Sequence, residues 1–167
     1  SAGHDMKELT ARRGDADRGR AYFAQIMNAC SAMMQAVVQL PKPVVAAVQG
    51  VATAAGCQLV ASCDLAVASE AATFATPGVD IGLFCSTPAV ALSRNVATKH
   101  AMELLLTGDA IPAEEAARIG LVNRVVPKAE LDAALDAFLA RLLDKAPSAI
   151  RRGRYTMRRI QSMSFEE

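Results

Sequence analysis

The residues able to do chemistry gather around one turn. The sequence reads Thr53-Ala54-Ala55-Gly56, directly after the apolar run 44–48 and the break at Gly50. This pattern predicts a buried strand, a tight turn and then a helix that opens among residues too small to shield their own backbone. A helix start leaves N–H groups without intrahelical partners and carries the positive end of the helix dipole. Ala and Gly let an oxygen atom come close to those donors. Such a turn can polarise a carbonyl and hold the oxyanion that develops from it. Small residues also suit close packing of helix against strand, and periodicity alone does not separate the two readings.

Few side chains nearby are equipped for catalysis. His4 carries an imidazole, a side-chain type suited to proton transfer, while a role through its backbone alone needs no ring. Gln58 can hydrogen-bond water but cannot take its proton, because a neutral amide is not a base. Cys85, Ser86 and Thr87 form a nucleophile-rich loop before a helix start, a setting that lowers a thiol's pKa. No His or acid lies near them in sequence to activate them. Asp80 faces the same side as Gly78 if 78–81 is extended, and caps the turn before Ile81 otherwise. Cys57 reads as buried, Glu114 and Glu115 as a solvated helix face, and His100 as surface.

The positioning elements follow in order. Residues 1–9 read as a loop entering a short helix, and 10–19 as a polar, mobile surface segment. A helix spans 20–40, with Tyr22, Phe23, Ile26, Met27, Cys30, Met33, Met34, Val37 and Val38 at helical spacing. Pro41 and Pro43 stop it and the strand follows. After the turn a helix runs from about 54 to 63, a strand over 65–68, and an extended stretch over 71–74. Helices are expected over 87–95, 97–106 and 112–119, with Gly108 and Gly120 as stops. A strand covers 121–126. An amphipathic helix at 128–145 and a basic helix at 148–163 end the chain, the latter reading as solvated or facing a partner subunit.

Composition removes several function classes. The 167 residues suffice for one domain, and 52% hydrophobic content excludes a disordered chain. A net charge of +1 gives no case for nucleic acid, and no apolar run suits a membrane span. The four cysteines, Cys30, Cys57, Cys63 and Cys85, make no CxxC pair and read as reduced thiols, with no metal set among them. The Ala- and Arg-rich composition fits a bacterial cytoplasmic protein; in a eukaryote the mitochondrial matrix is expected.

Five stretches in order carry a resemblance. They are SAGHDMKEL at the start, GVATAAGCQLVASCDLAVAS at the turn, FATP followed by IGL, LTG followed by AEEA and GLVN, and the closing VVP. Together they resemble the crotonase family, the enoyl-CoA hydratase/isomerase superfamily. The resemblance implies an α/β fold: a crotonase-like spiral of ββα units with a helical C-terminal region. It divides the chain into a core at 1–126 and a helical trimerisation region at 127–167. It also places strands ahead of Ser1 and further helices after Glu167, so these residues are expected to be a partial core lacking its N-terminal strands.

For chemistry, the resemblance implies a thioester carbonyl held between the backbone amides of His4 and Ala55. Ala2, Gly3, Asp5, Lys7, Ala54, Gly56, Phe84 and Cys85 are expected to line the substrate. No separate cofactor or metal is implied, since coenzyme A arrives as part of an acyl-CoA thioester in fatty-acid metabolism. A homotrimer or hexamer is implied as the assembly. Family hydratases carry two glutamates, and the matching positions here hold Gln58 and Gly78. Loss of such groups typically lowers the rate by ~10² to 10⁴ each, so weak hydration is expected. Asp80 is the acid nearest to replacing them. A non-catalytic acyl-CoA-binding or regulatory subunit is the alternative. A dinucleotide-binding domain is disfavoured because VQGVATAAG is not GxGxxG.

Overall fold

The computed structural model describes residues 1–164 and 166. Asp5 starts the first helix by accepting the N–H groups of Lys7 and Glu8 on Oδ1, at 2.8 and 3.3 Å, and α1 runs Met6–Arg12. The segment expected to be mobile is a defined turn. Asp17 accepts the N–H groups of Gly19 and Ala21, both at 2.9 Å, and so organises the start of α2, Arg20–Gln39. Of the α2 residues only Met34 is fully buried.

Among the described residues, six strands follow in two three-stranded sheets. In the first, β1 (Val45–Val48), β3 (Leu65–Ser69) and β6 (Arg124–Val126) lie parallel, with Ala46 opposite Ala66 and Ala68 opposite Val125. In the second, β2 (Val51–Thr53) pairs parallel with β4 (Thr73–Ala75), which pairs antiparallel with β5 (Ile111–Pro112). From β1 to β4 the chain alternates between sheets, and α3 (Ala55–Ser62) closes the first strand–strand–helix unit. Helices α4 (Ser86–Leu92), α5 (Thr98–Thr107) and α6 (Ala113–Arg118) cover the remainder. This is the ββα spiral expected from the resemblance.

The core lies between the sheets and helices α3 to α6, where Cys57, Phe74, Leu92, Ala113 and Ala116 are wholly enclosed. Small side chains let the layers approach, and Thr76 secures one junction by donating its hydroxyl to the Leu104 carbonyl at 2.8 Å. The strand expected from 121 begins only at Arg124, because Asn123 pairs with Ala66 through its backbone N–H, while its side-chain oxygen accepts the Ala66 N–H at 2.8 Å. The closing helices are α7, Leu131–Leu143, and α8, Pro147–Ile160. Phe165 and Glu167, within the expected C-terminal region, lie outside the described residues.

On the basic helix Arg151, Arg152 and Arg159 are exposed, as a solvated face expects, while two arginines turn inward. Arg154 and Arg158, one turn apart on α8, both reach Asp64, at 2.7 and 2.8 Å. The segment 78–81 is also not extended: Pro77–Ile81 is a 3₁₀ turn. With three residues per turn, Asp80 no longer shares a side with Gly78.

Candidate functional site

The turn joins two stretches fifty residues apart. The Ser1 nitrogen donates to the Val51 carbonyl at 2.7 Å, and the Thr53 N–H donates to the Ser1 carbonyl at 2.9 Å. Residue 1 therefore runs alongside β2 as a further pairing partner. Two glycines permit the contact. A β-carbon on Gly56 would lie 2.1 Å from the Ser1 carbonyl oxygen. One on Gly3, which has φ of 85°, would lie 3.0 Å from the Ala54 β-carbon and 3.3 Å from the Ala55 nitrogen.

Ala54 precedes α3 at φ 51° and ψ −119°, a region disfavoured for a residue with a β-carbon. Its own N–H donates to the Ala75 carbonyl at 3.0 Å. That bond fixes the turn, and the strained peptide sets the direction of the next amide. Among the described residues, the backbone N–H groups of His4 and Ala55 meet no acceptor. Both residues are partly exposed, and of the two only His4 lines the cavity described next.

His4 and Gln58 line a cavity of about 840 Å³. Gln58 stands one helical turn beyond Ala55, hence on the same side of α3. Its side-chain Oε1 is buried and unpaired. An unpaired buried acceptor of this kind costs about 1–3 kcal/mol, which a donor from a ligand or water offsets.

The other expected residues divide. Gly78 and Cys85 adjoin: the Gly78 N–H donates to Cys85 Sγ at 3.3 Å. Cys57 is fully buried, and burial, then the neighbouring Cys85 thiol, push its pKa up to about 12. Asp80 is exposed, and its Oδ1 lies 3.3 Å from where a β-carbon on Gly108 would stand, turned toward the end of α5. Asp5 is engaged in capping α1. Ala2, Lys7 and Phe84 are exposed. Asp64 escaped sequence reading; the signal was an Arg pair four residues apart on α8.

The family model described as enoyl-CoA hydratase/isomerase matches residues 1–166. The chain belongs to this family. It is 51% identical over 156 residues to enoyl-CoA hydratase domain-containing protein 3, mitochondrial, from Mus musculus, covering 93% of this chain and 50% of that protein. The Xenopus laevis protein of the same name is 46% identical over 167 residues, 100% of this chain and 55% of its own length. The chain thus spans about half the length of these relatives. A crystal structure of an enoyl-CoA hydratase from Mycobacterium smegmatis matches at a TM-score of 0.90 and 46% identity, over 99% of this chain and 62% of that one. The human domain-containing protein 3 matches at 0.89 and 45%, over 99% and 64%. The fold is therefore that of the enoyl-CoA hydratase/isomerase family.

Proposed function

We propose that this chain carries the thioester site of an acyl-CoA protein. The observation that carries the reading is the pair of unpartnered amides at His4 and Ala55, brought together by Gly3 and Gly56. A thioester oxygen placed between them gains two donors. Donors fixed in advance stabilise an enolate-like oxyanion more than the ground-state carbonyl, by about 3 kcal/mol per donor where one has been removed and measured. Gln58 supplies a hydrogen-bonding amide beside this oxygen but no base.

The reaction favoured is therefore one that needs the oxyanion and little acid–base help from the two glutamate positions, such as isomerisation, decarboxylation or thioester hydrolysis. Coenzyme A enters as part of the substrate, with no separate cofactor. Asp80 faces away from Gly78 and is a weak candidate for proton transfer. Relatives include a short-chain-enoyl-CoA hydratase of Clostridium acetobutylicum and a crotonyl-CoA hydratase of Syntrophomonas wolfei, which supports a CoA thioester as ligand. Vertebrate relatives named as mitochondrial support a matrix location in a eukaryote, and the bacterial cytoplasm is the counterpart. The C-terminal helices at 127–167 are assigned to assembly, with a homotrimer or hexamer as the working unit.

One observation favours a second reading, a binding protein without turnover. Cys85 and the Leu83 carbonyl fill the space in front of Gly78, so the second carboxylate has no room. Turnover of crotonyl-CoA and a 3-enoyl-CoA by the full-length protein separates the two. Isomerisation with negligible hydration supports the enzyme. Tight thioester binding without any product supports the binder. Efficient hydration by the unaltered protein overturns both.

A further inference from the structure

We propose that Arg158 forms an anion subsite at the end of α3 remote from the turn, and that the ligand it selects is the thioester of a dicarboxylic acid, whose free carboxylate seats on that guanidinium. The inference rests on the thioester reading, since His4, Gln58 and Arg158 line one cavity.

Unmet polar atoms point to such a ligand. Among the described residues two buried side-chain atoms have no hydrogen-bond partner, Gln58 Oε1 and Arg158 Nε. Both residues line this cavity. A buried donor on a charged group has lost its water without replacement, which is costlier than for a neutral group. Arg158 Nη1 has no acceptor among the described residues either. A carboxylate oxygen is the acceptor that a guanidinium binds most strongly.

Charge gives the same direction. Among the described residues the cavity lining holds three arginines, Arg94, Arg154 and Arg158, against one carboxylate, Asp64. That carboxylate is already engaged. It accepts Arg154 Nε at 2.7 Å, Arg158 Nη2 at 2.8 Å and the Val44 N–H at 2.8 Å. One carboxylate neutralises one guanidinium, so the cluster keeps a positive charge. The carbonyls of Val37, Leu40 and Ser62, at the C-terminal ends of α2 and α3, accept from the two arginines and carry only partial charge. Every nitrogen of Arg154 has a partner, and its side chain is 10% exposed. Arg158 is the incompletely bonded member, and at 30% exposure it is the one a ligand can meet.

The spacing sets the length of the acid. Arg158 donates from Nη2 to the Ser62 carbonyl at 3.2 Å, which fixes its guanidinium at the last residue of α3, while Ala55 is the first. At a rise of about 1.5 Å per residue these ends lie about 10 Å apart. An extended chain advances about 1.2 Å per bond, since three backbone bonds span about 3.6 Å, so about eight bonds cover the distance. An octanedioyl group has that reach, and Met34, Val90 and Met157 offer its methylenes an apolar path.

The test is calorimetric titration of the full-length protein with octanoyl-CoA, octanedioyl-CoA and the monomethyl ester of octanedioyl-CoA. Octanedioyl-CoA should bind about tenfold or more tighter than octanoyl-CoA, as one charge-assisted hydrogen bond supplies. The methyl ester removes the charge without altering the protein and should lose that advantage. Arg158→Met keeps an apolar stem and leaves Arg154 on Asp64; its ratio of the two affinities should fall to one or reverse. The ester comparison carries the test if this variant does not fold. Equal affinity for octanoyl-CoA and octanedioyl-CoA means that Arg158 Nε holds only water and overturns the subsite while the thioester reading stands. An advantage retained by the methyl ester, or by folded Arg158→Met, overturns the assignment to charge or to this residue. Failure of every thioester to bind overturns the thioester reading and this inference with it.

Discussion

Gly78 and Cys85 share one space. A β-carbon at 78 would lie 2.7 Å from Cys85 Sγ and equally close to the Leu83 carbonyl oxygen. The carboxylate position is thus closed, not merely vacated. Gly78→Glu should destabilise the fold by about 1–3 kcal/mol through overpacking and should not create hydration, even beside Gln58→Glu. Removing the sulfur with Cys85→Gly relieves half of the conflict and leaves the Leu83 carbonyl in place. Urea unfolding alongside a crotonyl-CoA hydration assay tests this. A stable, hydrating Gly78→Glu variant would show that the loop moves aside freely.

Gly56 is the tightest point of the site. A β-carbon there meets the Ser1 carbonyl oxygen at 2.1 Å, and neither backbone can yield without breaking the Thr53–Ser1 hydrogen bond. Gly56→Ala should therefore push residues 1–4 off β2 and separate the His4 and Ala55 amides. The expected result is loss of thioester affinity by up to about tenfold with α3 still formed, since a net hydrogen bond to the ground-state carbonyl is worth about 0.5–1.5 kcal/mol. Titration with butyryl-CoA, with circular dichroism as the control, decides it. Unchanged affinity would mean the two amides do not act together.

Ala54 holds its φ of 51° at a cost of about 1–3 kcal/mol. Glycine adopts this conformation freely but loses more entropy on folding, about 0.5–1 kcal/mol against Ala. Ala54→Gly should come out between neutral and about 2.5 kcal/mol stabilising, and Ala54→Val strongly destabilising. The order of the unfolding midpoints is the readout. A stable Ala54→Val would place the strain elsewhere.

Much of this was legible in the sequence. The apolar run, Gly50 and the small residues at 53–56 indicated strand, turn and helix, and the structure has them with an added short strand at Val51–Thr53. The ββα spiral came from ordered motifs, because short strands of three residues carry too little periodicity to specify pairing. The side of Asp80 stayed open in the sequence because Pro77-Gly78 fits an extended segment as well as the 3₁₀ turn that formed. Arg154 and Arg158 were read with the other α8 arginines as solvated or facing a partner subunit, because charge on a helix gives no sign of its partner. Asp64 lies ninety residues from Arg154, a separation local patterns cannot bridge.

Asp17 gives a pH dependence with a definite sign. The Ala21 N–H, then other backbone donors around the turn, hold its carboxyl below its ordinary value of 3.8. The folded state thus favours the charged form, and its contribution is present above that value and lost as pH falls through the lower folded pKa. Asp17→Asn should flatten this part of the acid limb and leave neutral-pH structure of α2 largely intact. Acid titration followed by circular dichroism reads it. An acid limb identical to that of the unaltered protein would mean this cap carries no measurable linkage.

Cys57 and Cys85 should differ sharply in reactivity. Cys57 is wholly enclosed, and burial raises its pKa from 9.0 to about 12. Thiolate is the reacting species, so the folded protein offers almost none at this position near pH 8. Iodoacetamide should leave Cys57 unmodified in the native protein and label it after unfolding, while the partly exposed Cys85 reacts first. The same shift sets a stability trend. The folded state keeps its proton where the unfolded thiol has lost it, so stability falls as pH rises from about 9 toward 12. Cys57→Ala removes this slope at the expense of a small cavity, which separates titration from packing. Rapid native labelling of Cys57 would show that α3 opens on the timescale of the reaction, and that the turn before it is less firmly held than the Ala54–Ala75 and Thr53–Ser1 hydrogen bonds imply.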